Sequence, residues 1–313
     1  MFNKILKNQF DKGKSFIKTN GRKLESARFD FEFENGDKKS ILNELKEYQN
    51  EDGGFGKAIE PDFLLPNSSP MGTWVAGQIM MEIDLDAEHQ MVKQMIDYLA
   101  QTNNKESGMW DSVLAETNEY PHAPWWHWIE GVQENWMFNP GIELAAFVVH
   151  WSTVKSESAK IGWHSIENAV HHLMQKNEMD RHEINNYQQF IKIIDPYKEL
   201  LDLRTQRSLE SISIKILDLA EQCIDKDVSN WGTGYKSLPL DFIDHPRHPL
   251  CERLGNLIEK NIDFYVQQIN KDGVWDISWS WGSYPKYFEI ARQQWMGVLA
   301  VNRYKQFKAF GYL

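Results

Sequence analysis

Gln49-Asn50-Glu51-Asp52-Gly53-Gly54-Phe55-Gly56 and Gln268-Ile269-Asn270-Lys271-Asp272-Gly273-Val274-Trp275 share one pattern: Gln, then Asp-Gly, then an aromatic residue at a near-constant offset. Each follows an apolar helical run that ends in Tyr-Gln or Val-Gln-Gln. A degenerate copy runs from Gln101 to Trp110. A recurring helix–turn–aromatic unit implies an array of similar helix pairs. The local physics supports a scaffold role. Gly after Asp accepts the left-handed backbone by which a chain leaves a helix. Gln reaches the backbone groups freed at the helix end, and the aromatic ring packs over the turn.

Outward from these turns the periodicity is helical. Ile41, Leu42, Leu45 and Tyr48 make an i, i+3, i+4, i+7 stripe, as do Leu144, Phe147, Val148 and Trp151. Further stripes fall at Met91–Leu99, Ile166–Met174, Ile212–Leu219, Leu257–Val266 and Ile290–Tyr304. Strand-like alternation is scarce, and Phe29-Asp30-Phe31-Glu32-Phe33 is its best case. Ser69-Pro70 and Asn139-Pro140 read as starts of helices near Met71 and Gly141. Long loops rich in Pro, Gly and Trp precede several helices: 53–70, 108–140, 230–249 and 272–286. No low-complexity linker divides the chain. The expectation is an all-α fold, with residues 1–313 as a single domain of five to six helical hairpins.

The Gln-x-x-Asp-Gly-Gly-Phe-Gly and Gln-x-x-x-Asp-Gly-x-Trp segments resemble the repeat of the terpenoid cyclases of squalene–hopene type and of protein prenyltransferase β subunits. Segments 52–70 and 121–126 (Pro-His-Ala-Pro-Trp-Trp) also resemble bacterial prenyltransferase-like proteins. The resemblance implies an α/α toroid, an inner ring of helices inside an outer one, with the long loops gathered at one end. It implies neither established chemistry of those families. The Asp-x-Asp-Asp acid motif, the Asp-Asp-x-x-Asp diphosphate motif and the Asp-x-Cys zinc pair are all missing from the chain.

Composition narrows the partners. A net charge of −11 and a pI near 5.4 oppose nucleic acid and anionic lipid. Two Cys make no disulfide framework, and the N-terminal residues 1–10 lack the apolar core of a signal peptide. No run approaches the ~18 apolar residues of a membrane span. The expectation is a cytoplasmic protein that binds a small molecule, with no transmembrane segment. Thirteen Trp, 16 Phe and 11 Tyr must fill a core or line a cavity.

Three loops carry the candidate chemistry. Glu60-Pro61-Asp62 places two carboxylates in the first, as acid, base or cation stabiliser. The second supplies His122 as a proton shuttle, with Trp125, Trp126 and Trp128 to stack on sugars or stabilise a cation. The last supplies Asp276 with Trp279 and Trp281. The bland alternative for each is packing: a capped turn, a plug of Trp rings, a staple on the last repeat. His245-x-x-His248-x-x-Cys251 has metal-ligand residue types, but Pro246 and Pro249 interrupt the helix that would put them on one face. No phosphate-binding Gly loop is present, and no metal or cofactor is expected. The expected function is binding or transformation of an apolar or isoprenoid-like molecule in an aromatic, acid-lined cavity. A glycosidase or lyase on an α/α barrel and a non-catalytic binding protein are the alternatives.

Overall fold

The computed structural model describes the backbone of residues 2–313 and the side chains from Leu6 onward. In chain order the helices are α1 (Phe2–Asn20), α2 (Lys23–Phe33), α3 (Lys38–Lys46), α4 (Pro70–Glu82), α5 (Gln90–Thr102), α6 (Gly141–Trp151), α7 (Glu157–Gln175), α8 (Arg181–Ile194), α9 (Lys198–Thr205), α10 (Leu209–Cys223), α11 (Pro249–Leu254), α12 (Leu257–Gln267) and α13 (Pro285–Ala309). Among the described residues the only β-type pairs are three isolated bridges. The all-α expectation therefore holds. No helix there is long and apolar enough to cross a membrane.

One of the two start signals acts as read. Ser69 accepts the Gly72 N–H at 2.9 Å with Pro70 at the first helical position. Asn139 does something different. Its side chain accepts from Asn186 at 2.7 Å inside the core, and α6 starts without a side-chain cap. Phe29–Phe33 is helical rather than extended. The two rings sit 4.8 Å apart as i, i+4 neighbours on α2, so a helix accounts for an alternation that also fits a strand.

The chain falls into two compact units, residues 48–223, and residues 1–47 together with 224–313. In the 48–223 unit, α6 is the hub, packed by α4, α5, α7 and α8. Every residue of α6 is buried except His150. A helix that is apolar all round belongs inside a core. In the unit made from both termini, α1 packs on α2 and α13. Phe10 lies 5.4 Å from Phe29 and 5.0 Å from Tyr304, and Trp275 lies 5.0 Å from Tyr304.

The repeated motif makes one turn three times. In the first copy Asn50 N–H donates to Gly54 O (2.9 Å) and Gly53 N–H to Asn50 O (3.1 Å). In the last, Asn270 N–H donates to Val274 O (2.9 Å) and Gly273 N–H to Asn270 O (3.1 Å). The degenerate copy repeats this with one residue more: Asn104 N–H to Met109 O (2.9 Å) and Gly108 N–H to Asn104 O (2.8 Å). The turn glycines have φ of +90°, +72° and +77° in chain order. Each also presses on a helix. A Cβ on Gly53 would lie 2.2 Å from the Gln94 carbonyl of α5, and one on Gly273 would lie 2.1 Å from the Gln9 carbonyl of α1. Gly108 faces Ser165 of α7. The aromatic closes the unit: Trp110 Nε1 donates to Leu99 O (2.9 Å) and Trp275 Nε1 to Tyr265 O (2.7 Å), carbonyls near the end of the preceding helix. In the first copy Gln49 Nε2 donates to Gly53 O (3.0 Å) and Met91 O (3.2 Å).

Candidate functional site

Loops 53–70 and 108–140 are zipped together. Ala123 N–H donates to Asp62 O (2.8 Å) and Leu64 N–H to Pro121 O (2.9 Å), with Phe63 opposite His122 as an antiparallel bridge. This brings Glu60, Asp62 and His122 into one buried segment of the 48–223 unit. Lys57 and Ala58 both take the left-handed backbone (φ +55° and +60°) just before it. Non-glycine residues hold that conformation only where their surroundings enforce it. Glu60 Oε1 accepts the Asp62 N–H at 3.1 Å, so the first carboxylate braces the backbone of the second.

His122 Nδ1 lies 2.6 Å from the Tyr120 carbonyl, and that contact requires a proton on Nδ1. Its Nε2 is then an acceptor, so His127 Nδ1, 3.0 Å away, donates to it. For neutral rings both imidazoles carry the proton on Nδ1; the rings stack at 16°, with His127 on the surface. The three Trp of residues 125–128 divide. Trp126 is buried, stacked on Trp136 at 4.6 Å and 16° and lying 5.1 Å from Phe63; its Nε1 has no hydrogen-bond partner. Trp125 and Trp128 remain 38% and 37% exposed.

Asp276, Trp279 and Trp281 belong to the other unit. Asp276 is exposed and takes both Arg292 Nε (2.8 Å) and Arg292 Nη2. Trp281 is buried beside Phe288, and Trp279 meets Tyr235 and Trp295 edge-on. His245 and His248 each use Nδ1 to accept a backbone N–H, from Arg247 (3.1 Å) and Leu250 (3.3 Å); the latter caps α11.

A strongly perturbed carboxyl is Glu143, in the first turn of α6. It is 1% exposed. Trp74 Nε1 donates to Oε2 at 2.6 Å, and Gln78 Nε2 lies 3.1 and 3.2 Å from the two oxygens. Trp74 and Gln78 stand one turn apart on α4, so one face of that helix brackets the carboxyl. Burial pushes the acid up to about 8, while the two donors and the more distant charge of Lys192 pull the other way. With its proton held this tightly, the group is a carboxylic acid at neutral pH. Sequence reading passes over Glu143 as an interruption of an apolar run. The usable signal was the run itself, since an acid within a helix apolar on every side has no solvent to face.

Two clefts are open elsewhere. One of about 570 Å³ lies between α1 and α13 and includes Lys12, Phe16, Arg292 and Met296. One of about 310 Å³ includes Glu167, His171, Arg204 and Arg207. None of the sequence-predicted site residues lines either cleft. No protein-family model, curated protein or solved structure matches the chain.

Proposed function

We propose that the 48–223 unit binds an apolar, isoprenoid-like small molecule against Glu143 and that Glu143 is the proton donor to it. The observation that carries this reading is a fully buried carboxyl raised to about 8 and held by an indole and an amide. A carboxyl kept neutral by burial carries its proton at pH 7; on transfer the O–H electron pair stays on the carboxylate, the π pair of a double bond forms the new C–H bond, and the cation loses a proton from a neighbouring carbon back to the carboxylate, so that the double bond moves. Between the two transfers the Trp74 and Gln78 N–H groups stabilise the carboxylate. The glycan alternative finds less support, because Glu60 and Asp62 are only 6% and 4% exposed and Glu60 is committed to the Asp62 backbone. The same proposal includes the toroid. Motif turns that end α5 and α12 press on α7 and α1, a step from one turn-bearing helix to a neighbour that a ring of hairpins would repeat.

The test is tryptophan fluorescence titration of the full chain with farnesol, with cellotetraose as the glycan arm. Farnesol should saturate, weaken about tenfold in Glu143→Gln, as expected for loss of one strong hydrogen bond, and weaken as pH rises through about 8. Farnesol binding that Glu143→Gln leaves unchanged, or saturation by cellotetraose alone, overturns the reading.

A further inference from the structure

The loop at 108–140 carries a second feature that the Glu143 reading does not use. Between Gly108 and Pro140 there are five acids, Asp111, Glu116, Glu119, Glu130 and Glu134, and no Lys or Arg. None of the five has an ion-pair partner among the described residues. Some exposed acids elsewhere are paired, as Glu88 is with Lys93 and Glu157 with Lys160. In the same loop Trp125, Trp128 and Ile129 are three of the large apolar side chains left exposed.

These rings are held in place rather than loose. Asn118 clamps the Trp128 backbone in both directions, Nδ2 to Trp128 O at 2.9 Å and Trp128 N–H to Oδ1 at 2.8 Å. Asn118 lies in the 3-10 turn Ala115–Glu119, so the clamp ties the turn that carries Glu116 and Glu119 to the Trp128 backbone. Glu130 follows two residues later. On the other side, the buried Trp126–Trp136 stack and the His127–His122 hydrogen bond fix the backbone between Trp125 and Trp128. Two preset indole faces amid unpaired carboxylates match a cation that is flat and weakly hydrated. Guanidinium is such a group, attracted by the ring quadrupole and by the carboxylates together.

We infer that the 108–140 loop is a docking surface for an arginine-rich polypeptide segment, with Trp125 and Trp128 as its anchors. An extended segment fits better than a small cation. The acids are spread along the loop rather than turned into a cavity, and small ligands need concave sites. Exposed Trp with a polar, charged surround is also the composition of an interface hot spot.

The experiment titrates the full chain at low salt with the peptide Arg-Gly-Arg-Gly-Arg-Gly-Arg, its Lys counterpart and tetramethylammonium. The Arg peptide should bind more tightly than the Lys peptide and lose affinity as salt rises. Trp125→Ala and Trp128→Ala should each weaken it about fivefold. Glu116→Gln/Glu119→Gln/Glu130→Gln should weaken it further, while Glu178→Gln/Glu199→Gln/Glu210→Gln, an equal charge change elsewhere in the same unit, should not. Equal losses in the two triple variants would reduce the binding to general attraction by an acidic protein. Insensitivity to both Trp changes, or tetramethylammonium binding as tightly as the peptide, would equally overturn the proposal. The Glu143→Gln variant should bind the Arg peptide normally, which separates this proposal from the preceding one.

Discussion

Residues 125–128, Trp-Trp-His-Trp, and residues 275–281, Trp-Asp-Ile-Ser-Trp-Ser-Trp, read alike as Trp-rich loops with acids close by. The structure treats them in opposite ways. In the later segment the acid is cancelled by Arg292, Trp275 and Trp281 are buried, and Trp279 is braced by two rings. In the earlier one a single ring is buried, two are left out, and the acids around them are unpaired. The lesson is that composition sets the inventory of a loop while pairing and burial decide what remains for a partner. A loop whose charges and rings are all satisfied internally is structure. One whose charges and rings are held rigid yet unsatisfied has capacity left to bind.

The largest way to test this contrast is by pH, because the two units hold their acids so differently. Glu143 binds its proton more tightly folded than unfolded. Its contribution to stability is therefore greatest at acid pH, and it is lost as pH rises from about 4.5 to about 8. The loss should be on the order of 4 kcal/mol in wild type, and Glu143→Gln should flatten the slope. Urea unfolding at pH 5 and pH 8.5 measures it, and an equal slope in both proteins would remove Glu143 from the comparison. Next in size, Trp126→Ala should cost about 3–4 kcal/mol by opening a cavity beside Trp136 and Phe63. Trp125→Ala, one residue away and partly in water, should cost under about 1 kcal/mol. Equal melting points for the two variants would contradict the division between buried and exposed rings. Trp281→Ala should match Trp126→Ala rather than Trp125→Ala, since Trp281 is 2% exposed. A loss of only about 1 kcal/mol on unfolding would show that the later loop is no better packed than the earlier. The smallest effect belongs to Asp276→Asn. Its ion pair with Arg292 is solvent-exposed, so stability should fall by less than about 1 kcal/mol, and less still in high salt. A larger, salt-insensitive loss would mean that the loop depends on that pair.

These distinctions were unevenly legible in the sequence. The motif turns were readable because their requirements are local, a left-handed glycine and an aromatic to close over it, whereas Gln49 bonds Gly53 O and Met91 O of α5 rather than the end of its own helix. The Ser69 cap was readable for the same reason. The N-terminal helices α1 and α2 gave weaker signals, and the three Phe of α2 mimic a strand because period 2 and i, i+4 coincide over five residues. The assembly of one unit from both ends of the chain leaves no linker to find. Burial of Glu60 and Asp62 depends on two consecutive left-handed residues, Lys57 and Ala58, whose types do not announce that conformation. Exposure of Trp125 beside burial of Trp126 follows from the tertiary stack on Trp136, ten residues on, and no local rule gives it.

The extra residue in the middle motif has a consequence for how such a chain changes length over time. Asn104 and Gly108 are four apart where Asn50 and Gly53, or Asn270 and Gly273, are three apart, yet the two closing hydrogen bonds are the same. The knot of the turn lies at its ends, and the span between them is slack. With the extra residue Gly108 still faces its neighbouring helix, a Cβ there lying 3.0 Å from Ser165 of α7. The turns are thus natural splice points, where a copied hairpin can be joined to an existing array without recutting either core.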